Sequence, residues 1–292
     1  MNDDFTLVGA RAEEAAAPVG GQKKRRPSAA LVWLVLLVSG CALGALLLKK
    51  DPGYMDLANC NVPPCRAFWF GTDSMGRDLF AMIWSGGRLS LTIGLLSTLL
   101  STAIAILFGS LSGCAGPRTD AALMRLAELL LSVPNLLAVV LLQALFGKAS
   151  VWSLSLVIGL TSWAGVAKVV RAEVRVLKKS EYVLAAQCMG GSFFHVLRVH
   201  LTPNFFSAIS FMVVMNIRSA ILAESTLSFM GLGLPLEVVS WGSMLSLAEK
   251  ALLTGSWWVI VIPGLFLIVT LLSITELANR VRRSAERLQS NL

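Results

Sequence analysis

The chain is 292 residues long, 55% of them hydrophobic and 14% charged, whereas a soluble domain averages about 45–50% apolar and about 25% charged. That balance excludes a disordered or nucleic-acid-binding chain and argues against an ordinary soluble enzyme. Lys and Arg (25) outnumber Asp and Glu (17), for a net charge of +8, and in a membrane protein such an excess marks cytoplasmic loops.

Residues 1–28, with Ala15–Ala17 and Gly20-Gly21, read as a flexible cytoplasmic tail. Ala29–Leu48 is uncharged and long enough to cross a hydrocarbon core ~30 Å thick, which takes about 20 apolar residues. Lys23–Arg26 ahead of it also suit a signal peptide, yet the apolar run exceeds the roughly 7–15 residues of one, so an uncleaved signal anchor is expected. A loop over 49–88 leads to the second span, Leu89–Gly113. The third, Ala121–Gly147, carries Arg125 and Glu128 in its first turns, and the fourth, Ala149–Ala167, stops at Lys168. The fifth, Phe205–Ala223, holds Arg218, and the sixth, Ala251–Thr275, contains Pro263. A second tail covers 277–292. The expected fold is therefore all-α: a polytopic membrane protein of six transmembrane helices, with residues 89–276 as its core.

With alternating spans and a cytoplasmic N-terminus, the inside segments take most of the basic residues: Lys23–Arg26, Arg118, Arg125, Lys168–Lys179, Arg198 and Arg280–Arg287. Both termini are expected in the cytoplasm. Of five cysteines, Cys60 and Cys65 share the loop that faces outside, where disulfides persist. A local bridge is favoured there, followed by free thiols. A metal pair comes last, because no His or further Cys completes a site.

The cytoplasmic stretch between spans four and five carries the most information. Ser180-Glu181 suits a helix start with an acid in its first turn. Tyr182, Ala185, Ala186 and Met189 then fall on one helical face. That face is small enough for another backbone to approach closely. Gly190-Gly191 ends the helix, and Pro203 turns the chain into span five.

The spacing Ala185-Ala186-x-x-x-Gly190 followed by Pro203 resembles the cytoplasmic "EAA" loop of ABC-importer permease subunits. Two further stretches resemble the dipeptide/oligopeptide/nickel branch of that family. One is Phe70-Gly71-Thr72-Asp73-Ser74-Met75-Gly76-Arg77-Asp78, and the other is Glu224-Ser225-Thr226-Leu227-Ser228-Phe229-Met230-Gly231-Leu232-Gly233. Together they cover about residues 68–275. The resemblance implies a type I importer permease whose loop 180–204 is a coupling helix, docking in a groove of a cytoplasmic ATPase. Ala185, Ala186 and Gly190 would form the docking core. Leu184 stands where the family usually has a glutamate, and Glu181, one turn earlier on the helix, is the substitute. The competing reading of this segment is an amphipathic helix lying on lipid, but its small face offers little bulk for anchoring.

Gly71, Asp73, Gly76, Arg77 and Asp78 form a turn-rich motif; the resemblance implies a structural element on the outer face, near where a binding protein docks, and the residues alone read as a loop knot in which Arg77 pairs with Asp73 or Asp78. Arg218 and Glu224, with Ser228, are candidate residues of the translocation pathway, since ionised side chains within a span face the bundle or water. For Glu224 a hydrogen bond inside the bundle is the equal alternative. Six residues place Arg218 and Glu224 ~240° apart around a helix, so no direct pair is expected. Residues 231–255 predict a short helix or re-entrant segment, and Trp257-Trp258 an aromatic anchor for span six. His195 and His200 lack a carboxylate neighbour in the sequence and suit solvent or the ATPase.

No phosphate-cradling Gly-x-x-x-x-Gly-Lys-Ser/Thr loop occurs, nor Gly-x-Ser-x-Gly or His-Glu-x-x-His. The chain is expected to be non-enzymatic and to bind no cofactor or metal itself. The resemblance places ATP and Mg on partner subunits. It also implies a second permease in a heterodimer, two ATPase domains, an extracytoplasmic solute-binding protein and the plasma membrane of a prokaryote. Peptides are the expected solute, with nickel or a metal chelate as the alternative. A lone secondary carrier would predict inverted repeats and broken midplane helices, and a membrane scaffold leaves Ala185–Pro203 unexplained.

Overall fold

The computed structural model describes residues 29–47, 51–181, 188, 202–235 and 237–289. Its helices are α1 (Ala29–Leu47), α2 (Leu79–Cys114), α3 (Pro117–Ser132), α4 (Asn135–Phe146), α5 (Val151–Thr161), α6 (Ala164–Leu177), α7 (Thr202–Phe229), α8 (Trp241–Leu245), α9 (Ala248–Leu253) and α10 (Trp258–Gln289). Among the described residues there is no strand, only an isolated bridge between Thr72 and Asp78.

Helix α2 is the axle of the bundle. Its 36 residues span ~54 Å at 1.5 Å per residue, and it begins at Leu79, ten positions before the apolar run that marks it in the sequence. Asp78 starts it, its carboxylate accepting from the backbone N–H of Phe80 at 3.0 Å. The buried face of α2 is small and polar, with Gly87, Ser90, Gly94, Ser97, Ser101, Ala105, Gly109 and Gly113 on one side. Leu95, Leu99, Leu107 and Leu111 are exposed on the other. This inverts a soluble helix, and it suits lipid, where association is driven by close packing rather than by burying leucine. A Cβ on Gly109 would lie 2.6 Å from the carbonyl oxygen of Ala167, so the glycine sets how closely α6 approaches.

Two expected spans are broken. The third bends by 94° between α3 and α4. Val133 and Pro134 are extended there, because proline disfavours a helical residue before it and offers no N–H. The fourth bends by 47° between α5 and α6. Here the Thr161 hydroxyl donates back to the carbonyls of Val157 and Ile158, a competition that bends helices. The fifth runs unbroken through Arg218. The sixth starts at Trp258, not Ala251: Ala251 belongs to α9, and Gly255, at φ +69°, separates the two. Pro263 lies inside α10 without ending it, and the helix continues through the expected tail to Gln289. Among the described residues three helices are long and apolar enough to cross a membrane, or up to five if each bent pair counts once; α1 adds a shorter apolar stretch, Ala29–Gly44.

Three buried clusters hold the helices together. One joins α1, the start of α2, α8 and α10 around Trp241; the second joins the end of α2 to α6 and α7 around Val170 and Phe205; the third joins α4, α5 and α7 around Val157 and Leu227. The bundle thus has two ends, one carrying the loop 51–78 and the other the junction of α2, α3 and α6.

Candidate functional site

At the first end, Gly71–Asp78 is tied into a knot. Asp73 Oδ1 accepts from the backbone N–H groups of Met75 and Arg77 at 2.8 and 2.9 Å, and its Oδ2 from Arg77 Nε at 2.7 Å. The two side chains are only 1% and 5% exposed. Gly76, at φ +73°, packs where a Cβ would overlap the carbonyl of Asp56, so only glycine fits. The Thr72 hydroxyl donates to Asn59 O at 2.6 Å and accepts from Val62 N–H at 2.8 Å, pinning the 3-10 turn Leu57–Asn59. Trp258 donates its indole N–H to Thr72 O at 3.0 Å, fastening α10 to the knot. The tandem tryptophans therefore divide: Trp258 is buried in this knot and Trp257 is exposed.

The expected Cys60–Cys65 bridge is absent, and both thiols are free. Cys60 closes the 3-10 turn instead, its S–H donating to Leu57 O at 3.3 Å, while Cys65 is exposed.

Below the knot, Glu224 is wholly buried on α7. Ser90 of α2 donates to its Oε2 at 2.9 Å and Ser228 to its Oε1 at 3.0 Å, with Ser225 at 3.4 Å. Ser90 in turn accepts from the backbone N–H of Trp241 at 3.4 Å, and Ser228 from that of Leu234 at 3.3 Å. One carboxylate thus organises α2, α7 and the loop leading to α8. Hydroxyls fill its lone pairs at little steric cost, as a buried polar group requires. Ser228 also lines a cavity of about 680 Å³, shared with Lys148, Leu234, Glu237 and Ser246. Glu224 and Ser228 are brought together. Arg218 is half-buried elsewhere on α7 and makes no ion pair with Glu224, whose oxygens the serines occupy. Residues 231–255 hold the expected short helices, and Trp241 of α8 is fully buried, its indole donating to Ile83 O at 3.1 Å.

At the other end sits a cluster that the sequence does not announce. Asp120, in the first turn of α3, is 6% exposed. Arg171 of α6 holds it with a two-pronged fork, Nε to Oδ1 and Nη2 to Oδ2, the latter at 2.6 Å. Arg175, one turn on, reaches Oδ2, and Ser112 of α2 donates to Oδ1. Lys178 donates to Cys114 O at 2.9 Å, capping the carbonyl end of α2 with a cation. In the sequence Asp120 reads only as an acid near a helix N-terminus, because its arginines lie 51 and 55 residues away.

Of the expected coupling residues, Leu184, Ala185, Ala186 and Gly190 lie outside the described residues. Glu181 is exposed and helical just beyond α6. Pro203 falls in the first turn of α7, where its missing N–H is no loss.

Lipid-facing leucines, small-residue helix contacts and buried charges satisfied only inside the bundle define a multi-pass membrane protein. Residues 105–284 match the family model described as binding-protein-dependent transport system inner membrane component. The chain belongs to that family, the permeases of ABC importers. It is 34% identical to the dipeptide transport system permease protein DppC of Bacillus subtilis, over 88% of this chain and 80% of that protein. Identity to the oligopeptide transport system permease protein OppC of the same organism is also 34%, over 86% and 82%. To the probable D,D-dipeptide transport system permease protein DdpC of Escherichia coli it is 31%, over 92% and 95%.

Proposed function

We propose that this chain is a non-catalytic membrane subunit of an ATP-driven importer of di- or oligopeptides. The observation that carries the reading is similarity along four-fifths or more of three permeases named for peptide substrates. Nickel has no support from those three. The proposed assembly has a second permease, two ATPase domains holding ATP and Mg, and an extracytoplasmic binding protein. Both termini lie in the cytoplasm, which puts the knot outside and the Asp120 cluster inside. The gathering of Arg171, Arg175, Lys178 and Arg280 at one end supports that orientation. Loop 180–204 meets the ATPase, with Ala185, Ala186 and Gly190 as its docking core and Glu181 in place of the usual acid at Leu184. The solute passes beside the cavity at Ser228, and Glu224 shapes that wall, with Arg218 contributing from a different face of α7.

The test is uptake of a labelled dipeptide into proteoliposomes holding the complete complex and its binding protein. ATP-dependent accumulation is expected. Ala185→Arg or Gly190→Arg should leave ATP hydrolysis running without uptake. Accumulation by this subunit without any ATPase would overturn the proposal.

A further inference from the structure

Helix α6 leads directly into the segment proposed to meet the ATPase, and two kinds of contact fix it to the membrane bundle. Along α2 the contact is close packing of Gly109 and Gly113 against Ala167, Val170 and Val174. On α3, beside the apolar packing of Ala127 in the cluster around Val170, the contact is charge: Arg171 and Arg175 close on Asp120, which also accepts from Ser112 of α2. Asp120 is therefore the one side chain in this cluster bonded to both α2 and α6 while standing on α3. It stands before the 94° elbow, where the helix axis turns at Pro134 and a small rotation of α3 redirects all of α4. The pin is strong where it must hold, since a buried carboxylate in a guanidinium fork has both distance and orientation fixed.

We propose that Asp120 is a positioning residue for transport: it locks the α3–α4 elbow to α6, so that α6 carries the elbow with it when the ATPases close. Movement at the coupling segment then reaches α4, which shares a buried cluster with α5 and α7 near Leu227, one residue from the cavity-lining Ser228. A purely structural role for Asp120 would stabilise the fold equally in every state; the clamp makes a state-dependent demand, that α3 and α6 keep one separation throughout the cycle. The proposal rests on the reading of 180–204 as the ATPase contact.

The experiment uses the complete complex, with the five cysteines of this chain replaced and spin labels placed at Val133→Cys and Val176→Cys, both exposed positions. The label separation should be the same in nucleotide-free and ATP-trapped complexes. In Asp120→Asn it should differ between those states, and ATP hydrolysed per peptide imported should rise several-fold. Asp120→Glu, which keeps the charge, should restore a single separation; Arg171→Lys, which keeps the charge but loses the fork, should let the separation differ between the states, and it carries the test if the Asn variant does not assemble. A separation that changes by about a helical turn, ~5 Å, with Asp120 intact would overturn the clamp. So would an Asn variant with unchanged separation and unchanged stoichiometry. Gly190→Arg, measured alongside, separates the two readings: if it leaves coupling intact, the ATPase contact fails, while the label distances still judge the clamp.

Discussion

The two ends of the bundle each hold a buried aspartate paired with arginine, and they differ in reach. Asp73 and Arg77 are four residues apart, both almost sealed from solvent, and every partner of the knot lies within the loop or at the helix ends it fastens. Asp120 spans three helices, and its arginines are 27% and 48% exposed at the side chain. A local, sealed pair can specify only a local shape, and its removal leaves an unpaired charge with no water to receive it. A long-range pair holds two elements at one separation, and its exposed arm keeps part of the solvation that full burial would cost. The first belongs to folding and the second to the relation between helices.

The sharpest way to break that contrast is Asp73→Ala, which strands the Arg77 guanidinium. Loss of one partner of a buried ion pair costs about 3–5 kcal/mol, a large share of any domain's stability. The expected result is loss of folded subunit from membranes, read by thermal unfolding in detergent, with Asp73→Asn only partly relieving it. If Asp73→Ala unfolded no more easily than wild type, the knot would not be a folding element.

Next in size is Gly109→Val. The new side chain meets the backbone of Ala167 and cannot be accommodated by a rotamer change, so α6 must move off α2; overpacking of this kind costs about 1–3 kcal/mol. A lowered unfolding temperature with the knot end still protected from protease would place the damage at the α2–α6 contact. Equal loss of protection at both ends would show that they unfold as one unit.

Much of this was legible in the sequence and some was not, for identifiable reasons. The apolar runs show which segments form apolar helices, since lipid demands apolarity along a span. They do not show where a helix begins, because Leu79–Arg88 is helical beyond the run under the control of the cap at Asp78. The 94° break was in plain view as Pro134, but a continuous apolar composition masks it. The bend at Thr161 depends on which carbonyl a hydroxyl chooses, and no sequence pattern states that. The turn residues of Gly71–Asp78 pointed to a structural element on the outer face, with a knot closed by Arg77 and either Asp73 or Asp78 as the alternative; the structure pairs Arg77 with Asp73. Trp258 looked like a membrane anchor because a tryptophan at an interface and one donating into a loop have the same neighbours in sequence. Asp120 was silent for the reason given by its distance from Arg171 along the chain.

Glu224→Gln tests the hub between the two ends with a milder change. The amide keeps one acceptor for Ser90 or Ser228, and the remaining hydroxyl can turn to accept from its NH₂. The cost should be near that of weakening one charged hydrogen bond to a neutral one, about 1 kcal/mol. Assembly should survive, with uptake reduced through altered packing at the Ser228 cavity. Unchanged uptake kinetics would remove Glu224 from the pathway wall and leave it a bundle tie alone.

The smallest effect is expected at Lys168, whose ion pair with Glu128 also joins α6 to α3. Its 3.4 Å separation and its side-chain exposures of 40% and 61% set it apart from Asp120, although both pairs link the same two helices. An exposed pair gains little over hydration and is screened by salt, so Lys168→Ala should cost about 0–1 kcal/mol. Lys168 and Arg171 lie on the same helix and pair with acids on the same partner helix, so the comparison sets an exposed ammonium pair against a buried guanidinium fork. Lys168→Ala should therefore leave the α3–α6 label separation fixed in both nucleotide states. If it released the elbow as fully as Asp120→Asn, net charge between the helices would be the relevant quantity, and the guanidinium fork at Asp120 would lose its special standing.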